Sequence, residues 1–208
     1  MISSVRVDAH RDLLMRWQAG EKQAGEQILA AYFDEIYEFF IHKVSEPADA
    51  DDLAQETFVR LRQGKFRGDA SVRTYLYTVA RNAFHDHLRR RRTQGTKLDF
   101  EEISLVDLGT SPSQRLGRAR QIQQLHEALH RLPVDTQLLV ELRFWKGLDY
   151  AALSEVFGFP EGTIRMRLLR AHKALRKAMD QLGAGAANDA PDDALVRSIS
   201  EPDLQENP

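Results

Sequence analysis

No stretch of this chain alternates apolar and polar residues at the period of two that a half-buried strand needs. Apolar residues recur instead at three- and four-residue intervals. In AGEQILAAYFDEIYEFFIHKV the residues Ile28, Leu29, Tyr32, Ile36, Phe39 and Phe40 share one helical face. SEPADADDLAQETFVRLRQG opens on Pro and Asp, good helix-start residues, and stops at Gly64. VRTYLYTVARNAFHDHLRRRR runs without Pro or Gly. The pattern lapses over TQGTKLDFEEISLVDLGTSPSQR, residues 93–115, where Gly, Ser, Thr and Pro dominate, and resumes in LGRARQIQQLHEALHRL and TQLLVELRFWKG. The expected fold is all-α: two small helical domains, 1–92 and 116–182, joined by a flexible linker, 93–115. Residues 183–208 are small, acidic and Pro-containing, and are expected to be a disordered tail.

Composition removes several function classes. The 208 residues include no Cys, which excludes disulfides and thiolate metal sites. No apolar run approaches the roughly 18 residues of a membrane span, and the N-terminus is charged throughout, so a cytoplasmic protein is expected. The net charge of −2 conceals a strong segregation: LRRRRTQGTK (88–97) and IRMRLLRAHKALRK (164–177) are basic, while EPADADDLAQE (46–56), LDFEE (98–102) and the tail are acidic.

The stretch YAALSEVFGFPEGTIRMRLLRAHKAL, 150–175, has the spacing of a helix-turn-helix, with Gly158 where a left-handed cap is wanted and Pro160 just ahead of the second helix. Projected at 100° per residue, Ile164, Leu168, Ala171, Leu175 and Ala178 form one stripe. Thr163, Met166, Arg170, Lys173 and Lys177 lie opposite, with Arg165 and Arg167 at the margins. Such a division suits a helix lying in the major groove, where Arg forks onto guanine and Lys holds phosphate. In the first domain, Val72, Leu76, Val79, Ala80, Ala83 and His87 share the expected buried side of a second basic helix. Thr74, Thr78, Arg81, Asn82, His85 and Arg89 share the other side, flanked by Tyr75 and Tyr77, with Phe66 in the preceding loop. Cations, hydrogen-bonding groups and rings together suit a strand whose bases are unstacked.

Three motifs in order, DADDLAQETFVRL, FRGDASVRTYLYTVARNAFHDHLRRR and LDYAALSEVFGFPEGTIRMRLLRAHKALRK, resemble bacterial RNA polymerase sigma factors of the extracytoplasmic-function (ECF) group over residues 22–180. The resemblance implies an alternative sigma factor that binds core RNA polymerase, through the β′ clamp helices and the β subunit, and directs it to promoter DNA. Its implied clamp-docking residues are Asp49, Asp52, Leu53, Gln55, Glu56 and Phe58. Implied minus-ten contacts are Phe66, Arg67, Asp69, Thr74, Tyr77, Thr78, Arg81, Asn82, His85 and Arg89. Implied minus-thirty-five contacts are Glu161, Thr163, Arg165, Met166, Arg167, Arg170 and Lys173. Family members often carry Lys and Ser where this chain has Arg165 and Met166, which bears on the preferred bases. The linker would run through the polymerase towards its RNA exit path, and an anti-sigma factor is an expected partner. Neither catalytic residues nor a cofactor are implied.

Two other readings compete. HEALH, 126–130, satisfies the H-E-x-x-H pattern of zinc hydrolases, but so short a pattern recurs by chance, and no metal is expected. A stand-alone helix-turn-helix regulator would explain the second domain and leave the aromatic-flanked basic helix of the first without a purpose.

Overall fold

The computed structural model describes residues 2–66, 68, 70–91, 99–100, 104–105 and 120–181. Among them are eight α-helices and no strand; the single bridge pairs Ser104 with Pro133. The helices are α1 (Ile2–Gln18), α2 (Lys22–Ile41), α3 (Pro47–Gln63), α4 (Val72–Arg91), α5 (Arg120–His130), α6 (Val134–Phe144), α7 (Tyr150–Phe157) and α8 (Glu161–Gln181).

In the first unit, α1, α3 and α2 pack in sequence-adjacent pairs, and α4 closes against α3. Ile28, Tyr32, Ile36, Phe39 and Phe40 are buried on α2 as the periodicity predicts, while Leu29 is half-buried. The approach of α1 to α2 depends on Gly25: a Cβ there would lie 2.3 Å from Trp17 Nε1. Helix α3 starts at Pro47 with Asp49 in its first turn and is capped by Gly64, and Ala50, Leu53, Ala54, Thr57, Phe58 and Leu61 form its inner stripe. Leu53 and Phe58, expected to meet the polymerase, therefore serve the core and are only 1% and 3% exposed. Their spacing puts them on the face that α2 and α4 cover.

Helix α4 is buried more widely than its periodicity predicts, because a second set of elements covers its other side. Thr74 and His85, expected on the outer face, and Tyr77, expected to flank it, are buried, while His87, expected inside, is half-buried. Tyr77 is enclosed completely, with its ring edge-on to Phe39. Its hydroxyl donates to Glu35 Oε1 at 2.6 Å, an oxygen that also accepts from Arg73 Nε at 2.8 Å.

Helices α5 to α8 form the second unit, with α8 packed on α5, α6 and α7. The two units are in contact through α4 and α7, and one apolar core runs through both. The connecting segment is anchored where it is described: Phe100 and Leu105 are buried, and the Asp135 N–H donates to the Phe100 carbonyl at 2.9 Å.

Candidate nucleic-acid and polymerase interfaces

The turn ahead of α8 is held at both ends. The Asp149 carboxylate accepts from Ala152 N–H at 2.7 Å and caps α7, and Gly158 closes it in the left-handed region at φ 73°. Ser154 Oγ donates to the Phe159 carbonyl at 2.6 Å, so the turn is fastened back onto the short helix. Helix α8 then buries Ile164, Leu168, Ala171, Leu175 and Ala178, the predicted stripe. Glu161, Met166, Arg170 and Lys173 are exposed on the far side, and Thr163 is half-buried beside them. The marginal arginines are positioned by rings: the Arg165 guanidinium lies 3.7 Å from the Tyr150 centroid, and Arg167 lies 3.8 Å from that of Phe159. Planar cations laid on aromatic faces lose little more freedom on meeting DNA. Sequence periodicity finds the arginines but not the rings beneath them.

The corresponding face of α4 is divided. Asn82 and Arg89 are exposed, and Thr78 is half-buried. Arg81 is engaged: its Nε donates to Asp135 Oδ1 at 3.0 Å and its Nη2 to Oδ2 at 2.7 Å, a bidentate pair. His85 Nε2 lies 2.9 Å from Asp135 Oδ1, and the ring stacks on Phe100 with centroids 4.0 Å apart. Burial alone would raise the Asp135 carboxyl, but His85 and Arg81 outweigh it and hold it below the usual carboxylate range. Phe66 is half-buried, with its ring 5.3 Å from that of Tyr75. Arg67 and Asp69 lie outside the described residues.

On α3 the expected clamp-docking residues separate into two sets. Leu53 and Phe58 point inwards, while Asp52 and Gln55 are exposed and Asp49 and Glu56 are half-buried. The acids are balanced by the basic end of α4. Glu56 accepts from Arg60 at 2.6 Å and from Arg90 at 2.8 Å, and Asp49 accepts from Arg91 at 3.2 Å. Burial would raise the Glu56 carboxyl; Arg90 and Arg60 hold it low. Val59 is 53% exposed and shares a face with Asp52, Gln55 and Glu56. Sequence reasoning missed it, although an apolar residue three and four positions beyond that polar face is a legible signal. His130 of the HEALH stretch is buried, and its Nε2 donates to the His42 carbonyl at 2.7 Å, so this nitrogen is occupied within the fold.

Two protein-family models match the chain: Sigma-70 region 2 over residues 28–94 and Sigma-70, region 4 over residues 122–175. The chain is 31% identical over 183 residues to the RNA polymerase sigma-H factor of Pseudomonas aeruginosa, covering 83% of this chain and 94% of that protein. It is 32% identical to the ECF RNA polymerase sigma factor BldN of Streptomyces coelicolor, covering 81% of this chain and 65% of that one. Among solved structures, it resembles the sigma factor RpoE of Bartonella quintana, crystallised with the anti-sigma factor NepR. The TM-score is 0.55 and the identity 25%, over 74% of this chain and 96% of that one.

Proposed function

Because the chain belongs to the extracytoplasmic-function group of RNA polymerase sigma factors, we propose that its helical units divide promoter recognition between them. It is an alternative sigma factor that directs transcription initiation. The N-terminal domain, 1–92, docks on the polymerase and captures the minus-ten element. The linker, 93–115, connects it to the C-terminal domain, 116–182, which reads the minus-thirty-five element. The observation that carries this reading is the partition of α8: five apolar residues buried, a cationic side presented, and a capped turn holding the helix out.

The clamp-facing set is Asp49, Asp52, Gln55 and Glu56, with Val59 as an apolar contact among them. A part-acidic, part-apolar helix face complements a basic coiled coil. Phe66, Arg67, Asp69, Thr78, Asn82 and Arg89, with Arg81 once released, form the minus-ten set. Glu161, Thr163, Arg165, Met166, Arg167, Arg170 and Lys173 form the minus-thirty-five set. The polymerase carries the bond-making chemistry; this chain contributes binding energy. No described helix is long and apolar enough to cross a membrane, and action on DNA in the cytoplasm follows from the role. The likeness to a sigma factor crystallised with an anti-sigma factor supports a protein inhibitor as a further partner.

The test is run-off transcription with core RNA polymerase and DNA from upstream of the chain's own gene. Promoter-specific transcripts that require this protein are expected. Tight binding to the same DNA without polymerase, and no transcript, would favour the stand-alone regulator.

A further inference from the structure

Helix α1 supplies none of the expected DNA contacts, yet one stripe of it borders the loop between α3 and α4. Arg11, Met15 and Gln18 follow at four- and three-residue spacing, so they share one side of the helix. Gln18 Nε2 donates to the Leu61 carbonyl in the last turn of α3 at 2.7 Å. Arg11, two turns earlier, lays its guanidinium against Gly68: a Cβ at that position would stand 2.5 Å from Arg11 Cζ and 2.7 Å from its Nε. Gly68 also has φ 81°, in the left-handed region. Two independent constraints thus ask for glycine there, one from the backbone and one from the close approach of the arginine.

The arginine is placed but not paired. It is exposed, and among the described residues it has neither a hydrogen bond nor an ion pair. Other nearby cations are engaged: Arg16 holds Asp12 at 3.1 Å and Glu21 at 2.8 Å, and Arg73 holds Glu35 at 2.8 Å. Lys65, exposed in the same loop, adds a second positive charge. Apolar surface accompanies the charge. Met15, one turn along α1 from Arg11, is 55% exposed. Phe66, two residues before Gly68, has its ring 5.3 Å from that of Tyr75, and the Tyr75 hydroxyl fills the space left by the missing Cβ of Gly64. An open guanidinium fork beside aromatic rings and a polarisable thioether suits a nucleotide: the fork takes the phosphodiester and the apolar surfaces border the base. An acidic protein segment would use the charge and leave the rings without a purpose.

Resting on the sigma-factor reading above, we propose that Arg11 is a further DNA contact. Helix α1 forms one wall of the minus-ten site, and Arg11 grips a backbone phosphate of the non-template strand as its base enters beside Phe66. Gly68 sets the plane of the guanidinium, so the phosphate meets a fork that is already oriented. The contact reads no base. It fixes the register in which the loop and α4 capture bases, and it acts on every sequence alike.

The test uses the full chain bound to core polymerase and a labelled non-template single strand that spans the minus-ten element of the promoter defined by run-off transcription. Arg11→Gln removes the charge. It should weaken binding of the probe roughly tenfold and reduce the salt slope by about 0.7, the value for one phosphate on a single strand. Arg11→Lys keeps the charge and should keep the slope, although it loses the flat packing on Gly68. Arg16→Gln removes the same charge from another side of α1 and should leave both affinity and slope at wild-type values. An unchanged slope in Arg11→Gln, in a mixture that yields transcripts, would overturn the proposal and leave the sigma function standing. Equal losses in Arg11→Gln and Arg16→Gln would do the same. So would a slope lost in Arg11→Lys as fully as in Arg11→Gln, which would make the arginine a prop for the loop. A loss confined to polymerase binding would also overturn it and make Arg11 a protein contact. Absence of any polymerase-dependent transcript with the wild type would remove the sigma function, and this contact with it.

Discussion

Asn82 and Arg170 allow the two proposed kinds of DNA contact to be tested at single residues. Asn82 is exposed on α4 beside the engaged Arg81, and its amide can pair with the edge of an extruded base. Asn82→Ala should weaken open complexes by about 1–3 kcal/mol and leave closed-complex binding nearly unchanged, as measured by permanganate reactivity beside gel-shift titration. Equal loss in both assays would remove the base-capturing role. Arg170 is exposed on α8, and among the described residues no ring is placed under it as under Arg165 and Arg167. Arg170→Ala should lower affinity for upstream-element DNA evenly across sequences and reduce the salt slope by about 1. An unchanged slope would speak against a phosphate contact.

Helix α8 depends on the turn before it. Gly158 has φ 73°, and beyond its chain neighbours no atom of the described residues lies within 4 Å of the Cβ it lacks. The cost of Gly158→Ala is therefore purely conformational, about 1 kcal/mol. In a protein of this size that lowers the melting temperature by about 2–4 °C, which calorimetry can read. A neutral result would mean that the turn can re-form without the left-handed residue. Cap, turn and buried stripe were all legible because each is encoded within a few residues: Gly158 and Pro160 mark the turn, and the stripe repeats at helical spacing. The face of α4 was less so. Its periodicity assigns Tyr77 and His85 to the flank and the outside, yet Glu35 and Phe100, distant in sequence, draw them in. An amphipathic projection assumes one covered side, and α4 has two.

The contact between the units should make the molecule sensitive to acid. Burial, with Lys43 and His126 nearby, pushes the His42 imidazole down to about 4 from an ordinary 6.5. His126, whose ring lies 5.3 Å from that of His42, is lowered by burial as well. Between pH 6.5 and about 4 the unfolded chain takes up a proton at His42 and the folded chain does not. The stability is therefore complete above 6.5 and declines as pH falls through that window. Allowing for the partial exposure of the ring, the loss is about 1–2 kcal/mol. Urea unfolding at pH 7.5 and pH 4.5 should show a smaller decline for His42→Gln than for the wild type. Identical declines would assign the acid sensitivity to other groups.

Taken by itself, the sequence determined the all-α class, the helix-turn-helix, the segregated basic faces and the three ordered motifs of the family, because each rests on local spacing or a contiguous run of residues. Tertiary structure alone decided which members of those faces are free. Arg81 and Asp135 are 54 positions apart, and Lys43 and Glu141 are further apart still. Nothing near either partner in the chain encodes the other. Asp135 reads locally as an acid favouring a helix start, and Phe100 as an isolated ring in a polar linker. Only the docking of the second unit on α4 brings them against Arg81 and His85. Long-range pairing depends on how whole helices pack, and a pattern read one turn at a time carries no record of it.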